Sequence, residues 1–283
     1  MLEFMVKLQE FRSPLLNKIV ELITITAEET VLIVIMCIIF WCISREKGYK
    51  IILSIVLASA SNAMLKSLFN VKRPWVKDER IIPIRKETAT GSSMPSGHTQ
   101  VGSSMWFSMS RSFKNKVLTV FCYVMMVLIA TSRVYLGVHT PQDVLVALAL
   151  SVVCVIIAHF AVDKAIEKDS AKYFIIIAGL AFLGLFFFKF TTYYKMAGLL
   201  ISLPLAFFFE NKYIKFDPKT KFINQVVKIL LGSVVVLVFK EGLKYILPEH
   251  MIFDTLRYFF VGLSAIFVVP MIFVKTKLAK SKI

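Results

Sequence analysis

Residues 117–160 read VLTVFCYVMMVLIATSRVYLGVHTPQDVLVALALSVVCVIIAHF. Two apolar runs, each close to the ~20 residues a helix needs to cross a bilayer, flank a short polar insert. That insert, SRVYLGVHTPQD (132–143), packs an arginine, a histidine and an aspartate between them. Charge is costly to keep beside lipid, so it must serve a purpose there. The flanking runs are expected to be helices, because hydrocarbon offers no partner to an open backbone.

The same alternation continues in both directions. The chain has 283 residues, 57% of them hydrophobic, with 25 phenylalanines. Length alone would suggest about two soluble domains, but this composition overrides it. The reading is all-α: one polytopic membrane domain over 1–283. Residues 1–28 form an N-terminal interfacial segment, of which 13–28 are amphipathic. Nine spans follow, at 29–44, 50–70, 96–110, 117–137, 141–162, 173–189, 195–209, 222–246 and 251–274. The third, SGHTQVGSSMWFSMS, is short and polar and needs shelter from its neighbours. Residues 29–165 make the core. Residues 166–283 add four helices, for packing, dimer contact or a wall to a lipid-tail groove.

The formal net charge is +16. In a soluble protein that would point to nucleic acid, but no nucleic-acid partner is expected here. The bases fall in alternate short loops: SREKGYK, RSFKNK, DKAIEKDSAK, ENKYIKFDPKTK and the tail KTKLAKSKI. The positive-inside rule puts all five in the cytoplasm. The N-terminus is then outside and the C-terminus cytoplasmic. Loop 71–95 breaks the rule, with Lys72, Arg73, Lys77, Arg80, Arg85 and Lys86 on the outer side; those charges are available to a ligand. Cys37, Cys42, Cys122 and Cys154 all lie in apolar runs and read as packing residues.

Three polar clusters meet at the outer face. In KSLFNVKRP (66–74), Lys66 and Arg73 are two helical turns apart and share a face if the helix continues; Pro74 disfavours helix at Arg73. They are either two cations aimed at one spot or snorkelling bases at a helix end. In PSGH (95–98), Ser96 suits an N-cap, Gly97 permits close backbone approach, and the helix start is an anion site. His98 then stands beside the anion, or is a surface histidine at an ordinary cap. In the third cluster, Ser132 and Arg133 precede Gly137 at the turn, Thr140 at the N-cap and Pro141 at the first helical position. Asp143, four residues after His139, can reach back to the imidazole. A carboxylate on one ring nitrogen raises the nucleophilicity of the other.

Three cations, a helix N-terminus and two histidines suit a phosphate group. Lys66, Arg73 and Arg133 can neutralise its oxygens. One histidine can attack phosphorus and the other protonate the leaving oxygen. Asp143 selects His139 as the attacker, which leaves His98 as the acid. No metal or cofactor is called for, since the chain lacks a carboxylate cluster of the kind magnesium uses. His159 reads as a packing residue within a span and His250 as solvated.

Lys66-x6-Arg73-Pro74, Pro95-Ser96-Gly97-His98 and Ser132-Arg133-x5-His139-x3-Asp143 together resemble the signatures of the type 2 phosphatidic acid phosphatase superfamily, the lipid phosphate phosphatases. The likeness covers about residues 60–165. It implies a metal-independent phosphomonoesterase or diphosphatase with a phosphohistidine intermediate. By the same match His139 is the nucleophile, Asp143 its orienter and His98 the acid that later activates water. Lys66, Arg73, Ser96, Gly97 and Arg133 bind phosphate. Nine spans with an outside N-terminus resemble the glucose-6-phosphatase and sphingosine-1-phosphate phosphatase branches more than the six-span members. The leading expectation is a lipid phosphate substrate reached at the extracytoplasmic face. The alternatives are a soluble ester such as a sugar phosphate, or a protein that binds or moves lipid phosphates without cleaving them. The spare cations Lys77, Arg80, Arg85 and Lys86 lean toward a diphosphate, or toward anionic headgroups.

Overall fold

Long apolar runs become helices throughout, and the computed structural model, which describes residues 1–282, is all-α apart from one two-residue strand pair. In chain order the helices are α1 (Leu2–Gln9), α2 (Pro14–Ile25), α3 (Glu29–Ile38), α4 (Arg45–Phe69), the single turn α5 (Pro74–Lys77), α6 (Gly97–Phe113) and α7 (Lys116–Tyr135). They continue as α8 (Pro141–Glu167), α9 (Lys172–Phe187), α10 (Thr191–Tyr213), α11 (Phe222–Ile246), α12 (Met251–Leu263) and α13 (Val269–Lys275). α3 ends in a π-helical turn, Ile39–Ile43, and a second one, Ser264–Val268, joins α12 to α13.

Each of the nine expected spans falls on a helix. Among the described residues six helical stretches are long and apolar enough to cross a membrane: Arg45–Lys77, Lys116–Tyr135, Pro141–Glu167, Thr191–Tyr213, Phe222–Ile246 and Met251–Lys275. A seventh arises if α2 and the stretch Glu29–Ile43, bent by 50° at their junction, count together. α9 is apolar but has only 16 residues, and α6 is too polar to qualify. Phe186 and Phe187 on α9 are 65% and 79% exposed, and Tyr245 and Ile246 on α11 are 90% and 76% exposed. Apolar surface of this extent would be a liability in water, and together with the lipid-length helices it makes this an integral membrane protein.

The chain divides into two compact units, Met1–Ile33 with Ser61–Ile157, and Val34–Ala60 with Ala158–Ile283. In the first, α6 packs along α7, and α1 and α2 lie against α7. The polar residues of α6 are sheltered: Thr99, Gln100, Ser103, Ser104 and Ser108 are all fully buried. Gly102 permits that approach, since a Cβ there would stand 2.6 Å from Ala27 Cβ and 3.2 Å from Ile129 Cδ1. α1 had no counterpart among the expected elements. Residues 13–28 contain a helix, α2, started by Ser13, whose Oγ accepts from Leu16 N at 3.2 Å; its Val20 and Thr24 are buried.

In the second unit α10 packs on α9 and α12. The strands β1 (Phe216–Asp217) and β2 (Lys280–Ser281) pair antiparallel, Phe216 opposite Ser281. Glu210 is fully buried and takes its neutralising charge from Arg45 at 2.8 Å. Lys228, also fully buried, donates instead to two backbone carbonyls, of Trp41 and Pro218, each at 2.7 Å. The Trp41 indole donates to the Ala265 carbonyl at 2.9 Å, so the two π-turns are joined directly. His250 is exposed and its Nδ1 accepts from Ile252 N at the start of α12; His159 is buried.

Candidate active site

The site is built in the first unit, where α4 ends, α6 and α8 begin, and the 71–95 loop folds over them. α4 stops at Phe69, and Asn70 takes a left-handed backbone with φ +43°. The helix therefore does not carry Lys66 and Arg73 on one continuous face. Arg73 instead sits extended at the cap of α5, ahead of Pro74, as a pre-proline residue prefers. The two bases meet on one acceptor: Lys66 Nζ donates to the Thr90 carbonyl at 3.1 Å and Arg73 Nη2 to the same oxygen at 2.6 Å.

Arg73 is almost fully buried and its guanidinium is spoken for on all sides. Nε donates to the Gly91 carbonyl at 3.0 Å. Nη1 donates to the Val138 carbonyl at 3.0 Å and lies 3.0 Å from His139 Nε2. Arginine has only donors, so Nε2 is the acceptor in that contact. The proton of neutral His139 then sits on Nδ1, which faces Asp143 Oδ2 at 3.7 Å. That gap allows charge attraction but exceeds a hydrogen bond, and Nδ1 has no other partner.

Asp143 is held tightly. Its Oδ2 accepts from Ser93 Oγ at 2.6 Å and from the Thr140 amide at 2.8 Å, while Thr140 Oγ1 accepts from the Asp143 amide at 3.3 Å. Thr140 and Asp143 thus form a reciprocal box at the N-cap and N3 positions of α8, as capping residues do. Gly137, at φ +74°, makes the preceding turn; a Cβ there would stand 3.0 Å from Arg12 Nη2 and 3.2 Å from Ile81 Cγ2. Arg12 Nη1 and Nη2 donate to the carbonyls of Ile82 and Tyr135, both at 2.7 Å, and so tie the connection between α1 and α2, the 71–95 loop and the end of α7 together.

His139 lies between the helices, 2% exposed. Burial, with the Arg73, Arg133 and Lys66 charges, lowers its imidazole from the usual 6.5 to about 3, against the opposing pull of Asp143. The ring is neutral at physiological pH.

Ser96 caps α6 in sequence position, but its Oγ bonds Thr99 Oγ1 at 2.9 Å and caps no amide. Its amide donates to the Asp143 carbonyl at 3.2 Å, which joins the second and third clusters. A Cβ on Gly97 would lie 3.3 Å from Asn62 Oδ1. Asn62 in turn donates to the Pro95 carbonyl at 3.2 Å and to Gln100 at 2.9 Å. The first-turn amides of α6 have no helical acceptor. His98 lies in the field of Arg133, His139, Lys66 and Arg85, and its Nε2 is buried without a hydrogen-bond partner. Arg133 is fully buried, and its backbone carbonyl accepts from the amides of Val138 and His139 at 3.2 Å. Ser132 is turned inward, its Oγ on the Ile129 carbonyl.

All eight sequence-derived residues therefore gather in one place, with Lys66 at the rim. Ser93, Thr90 and Gly91 were not among them, nor was Thr24 of α2, which meets Arg133. Of the four spare loop cations, Arg80 pairs with Glu3 and Asp78, and Arg85 with Glu28 at 2.7 Å. Lys86 stands over the Trp75 ring, as Arg73 does, 5.8 and 5.6 Å from its centroid.

Among similar proteins, a probable sphingosine-1-phosphate phosphatase of Dictyostelium discoideum is 24% identical over 175 residues, 57% of this chain and 42% of that one. A phosphatidylglycerophosphatase B of Haemophilus influenzae is 42% identical over 74 residues, 23% of this chain and 30% of that one. The chain thus spans less than half the length of these two curated relatives. The crystal structure of Aquifex aeolicus LpxE matches with a TM-score of 0.50 and 26% identity, over 56% of this chain and 93% of that one. A family model described as the PAP2 superfamily matches residues 47–167, the stretch that holds all three clusters. A second, described as the PAP2 superfamily phosphatase transmembrane extension, matches residues 194–281. With the clusters inside one model and the later helices inside the other, the chain belongs to the PAP2 superfamily and carries its transmembrane extension.

Proposed function

We propose that this protein is a membrane phosphatase that hydrolyses lipid phosphate monoesters or diphosphates through a phosphohistidine intermediate. The observation that carries the proposal is the line Arg73–His139–Asp143, with a neutral imidazole whose Nε2 lone pair faces the cation cluster. The names of the two curated relatives, for sphingosine-1-phosphate and phosphatidylglycerophosphate, favour a lipid ester.

In this mechanism the substrate phosphate takes over the Nη1 donor that Arg73 gives to Nε2. Its oxygens are met by Lys66, Arg73, Arg133, the Ser96 hydroxyl and the amides that open α6, with Gly97 keeping that approach clear. His139 Nε2 attacks phosphorus and the P–O bond to the leaving group breaks, an alcohol from a monoester or a lipid monophosphate from a diphosphate. His98 gives its proton to the leaving oxygen. Asp143 stabilises the positive charge that grows on His139, and the cations stabilise the charge on the equatorial oxygens. His98 then takes a proton from water, whose oxygen attacks phosphorus. The P–N bond breaks and inorganic phosphate leaves.

We further place the site at the extracytoplasmic face, with nine spans, the N-terminus outside and the C-terminus cytoplasmic. The basic alternate loops support this orientation.

The test is phosphate release by purified protein in detergent, with chelator present, from phosphatidic acid, sphingosine-1-phosphate, a prenyl diphosphate and a hexose phosphate. Turnover of one or more of the lipids is expected. Turnover of the hexose phosphate alone would overturn the lipid assignment, and no turnover of any would overturn the enzyme.

A further inference from the structure

Arg133 makes its contacts unequally. Nη1 donates to Thr24 Oγ1 at 2.8 Å, Nη2 reaches Thr88 Oγ1 only at 3.5 Å, and Nε is buried with no partner. The Nε–Nη2 edge can take two oxygens side by side. It is the edge held more loosely, by one long contact, while Nη1 is fastened to α2. Thr24 is itself fully buried, so its hydroxyl has been taken from water for this contact.

The fastening is part of a face. Asn17, Val20, Thr24 and Glu28 recur every three or four residues, on one side of α2 and its extension. Asn17 Oδ1 accepts from Tyr135 Oη at 2.8 Å. Val20 packs with Tyr135, Leu136 and Val138. Glu28 takes Arg85, whose charge acts on Arg133 and His98. The other side of α2, Leu15, Ile19 and Leu22, is exposed. The segment that sequence alone assigns to the interface thus reaches the anion cluster with its inner face.

We infer that Thr24 is a positioning residue for the phosphate site: it holds Nη1 of Arg133 so that the Nε–Nη2 edge faces the oxyanion. The inference rests on the proposed phosphatase reading for the identity of that oxyanion, as a phosphoryl group. Valine at 24 keeps the shape and removes the acceptor. The guanidinium then has a buried Nη1 without a partner, and its rotation is no longer set. Serine keeps the acceptor.

The experiment is orthovanadate binding to full-length protein in detergent by calorimetry, for wild type, Thr24→Val, Thr24→Ser, Arg133→Ala and the Thr24→Val/Arg133→Ala double variant. Loss of a hydrogen bond to a charged group predicts a Kd about tenfold or more weaker for Thr24→Val. Thr24→Ser stays within about threefold on the same scale. In the Arg133→Ala background the valine substitution has no further effect, a non-additivity that general loosening of the fold would not produce. Wild-type affinity in Thr24→Val, or an equal loss with and without Arg133, overturns the inference. If Thr24→Val does not fold, Thr24→Ser and Thr24→Ala decide it: serine must bind like wild type and alanine weakly, and equal affinities overturn it. Phosphate release by wild type is read separately, and its absence would count against the enzyme reading while leaving the anion measurement intact.

Discussion

Nη1 of Arg73 lies 3.0 Å from Nε2 of His139, which makes the arginine a stand-in at the nitrogen that the proposed mechanism uses for attack. In the structure the lone pair is covered by a donor. A phosphate that draws Arg73 to its own oxygens uncovers it. Under the proposed mechanism, binding and exposure of the nucleophile are one movement of a single guanidinium.

Removing the ring tests this directly. His139→Ala is expected to abolish phosphate release from every substrate, and wild type quenched during turnover should carry acid-labile phosphate on His139. Trapped phosphate on another residue would refute the assignment. Asp143→Asn should fold and lose roughly 10²–10⁴ in kcat, the range for a misdirected general base or nucleophile.

Arg73→Lys keeps a charge but cannot serve Thr90, Gly91, Val138 and the ring together. A loss of about tenfold or more in kcat/KM is expected, because a planar fork is being replaced by a point charge. Unchanged kinetics would show that the arginine is only an anchor for the loop.

Ser93 shapes the same carboxylate from the other side, 2.6 Å away. Ser93→Ala should cost about 1–2 kcal/mol of stability, read as a fall in the thermal midpoint in detergent. Activity should fall with it, as Asp143 loses a fixed direction. A variant as active and stable as wild type would remove Ser93 from the account.

The pH dependence follows from His139. Its folded-state value, about 3, lies below the ordinary 6.5. The unfolded chain therefore binds a proton that the folded chain does not, and stability linked to this ring is complete above about pH 6.5 and lost as pH falls toward 3. In isotope-labelled protein the His139 ring should stay neutral from pH 8 to 5, and His139→Gln should flatten the acid side of the stability profile. A midpoint near 6.5 for that ring would contradict its burial among cations.

Orientation is testable by labelling. Lys77 and Lys219 are both exposed and lie in loops that the charge pattern assigns to opposite sides. With an impermeant maleimide on intact cells, Lys77→Cys should label and Lys219→Cys should not. The reverse result would turn the site toward the cytoplasm.

Much of the helical layout was legible in the sequence because lipid imposes it. Runs of apolar residues bounded by bases, and Pro141, mark their own ends: α7 is expected at 117–137 and spans Lys116–Tyr135, and α8 starts at Pro141 as its cap predicts. The three clusters were legible for a related reason, since charge among apolar runs stands out. What could not be read was which chain segments the clusters lean on. Thr24 sits in an amphipathic helix whose periodicity gives a buried face and not its partner. Thr90 and Gly91 contribute carbonyls, which every residue has. Ser93 is one of two adjacent loop serines, and nothing in the sequence sets it apart from Ser92. The π-turns at Ile39–Ile43 and Ser264–Val268 leave no mark in an apolar run, because only the packing around Trp41 and Ala265 distinguishes them.

Asp143 stands at two places at once, the cap of α8 and the side of the His139 ring. The same oxygen that closes the first turn of α8 stands behind the His139 ring, so under the proposed mechanism the helix cannot fray at that end without disarming the nucleophile. Under that mechanism, partial melting at this end would remove the cap and the support of the ring together, so activity would be lost with the first turn of the helix.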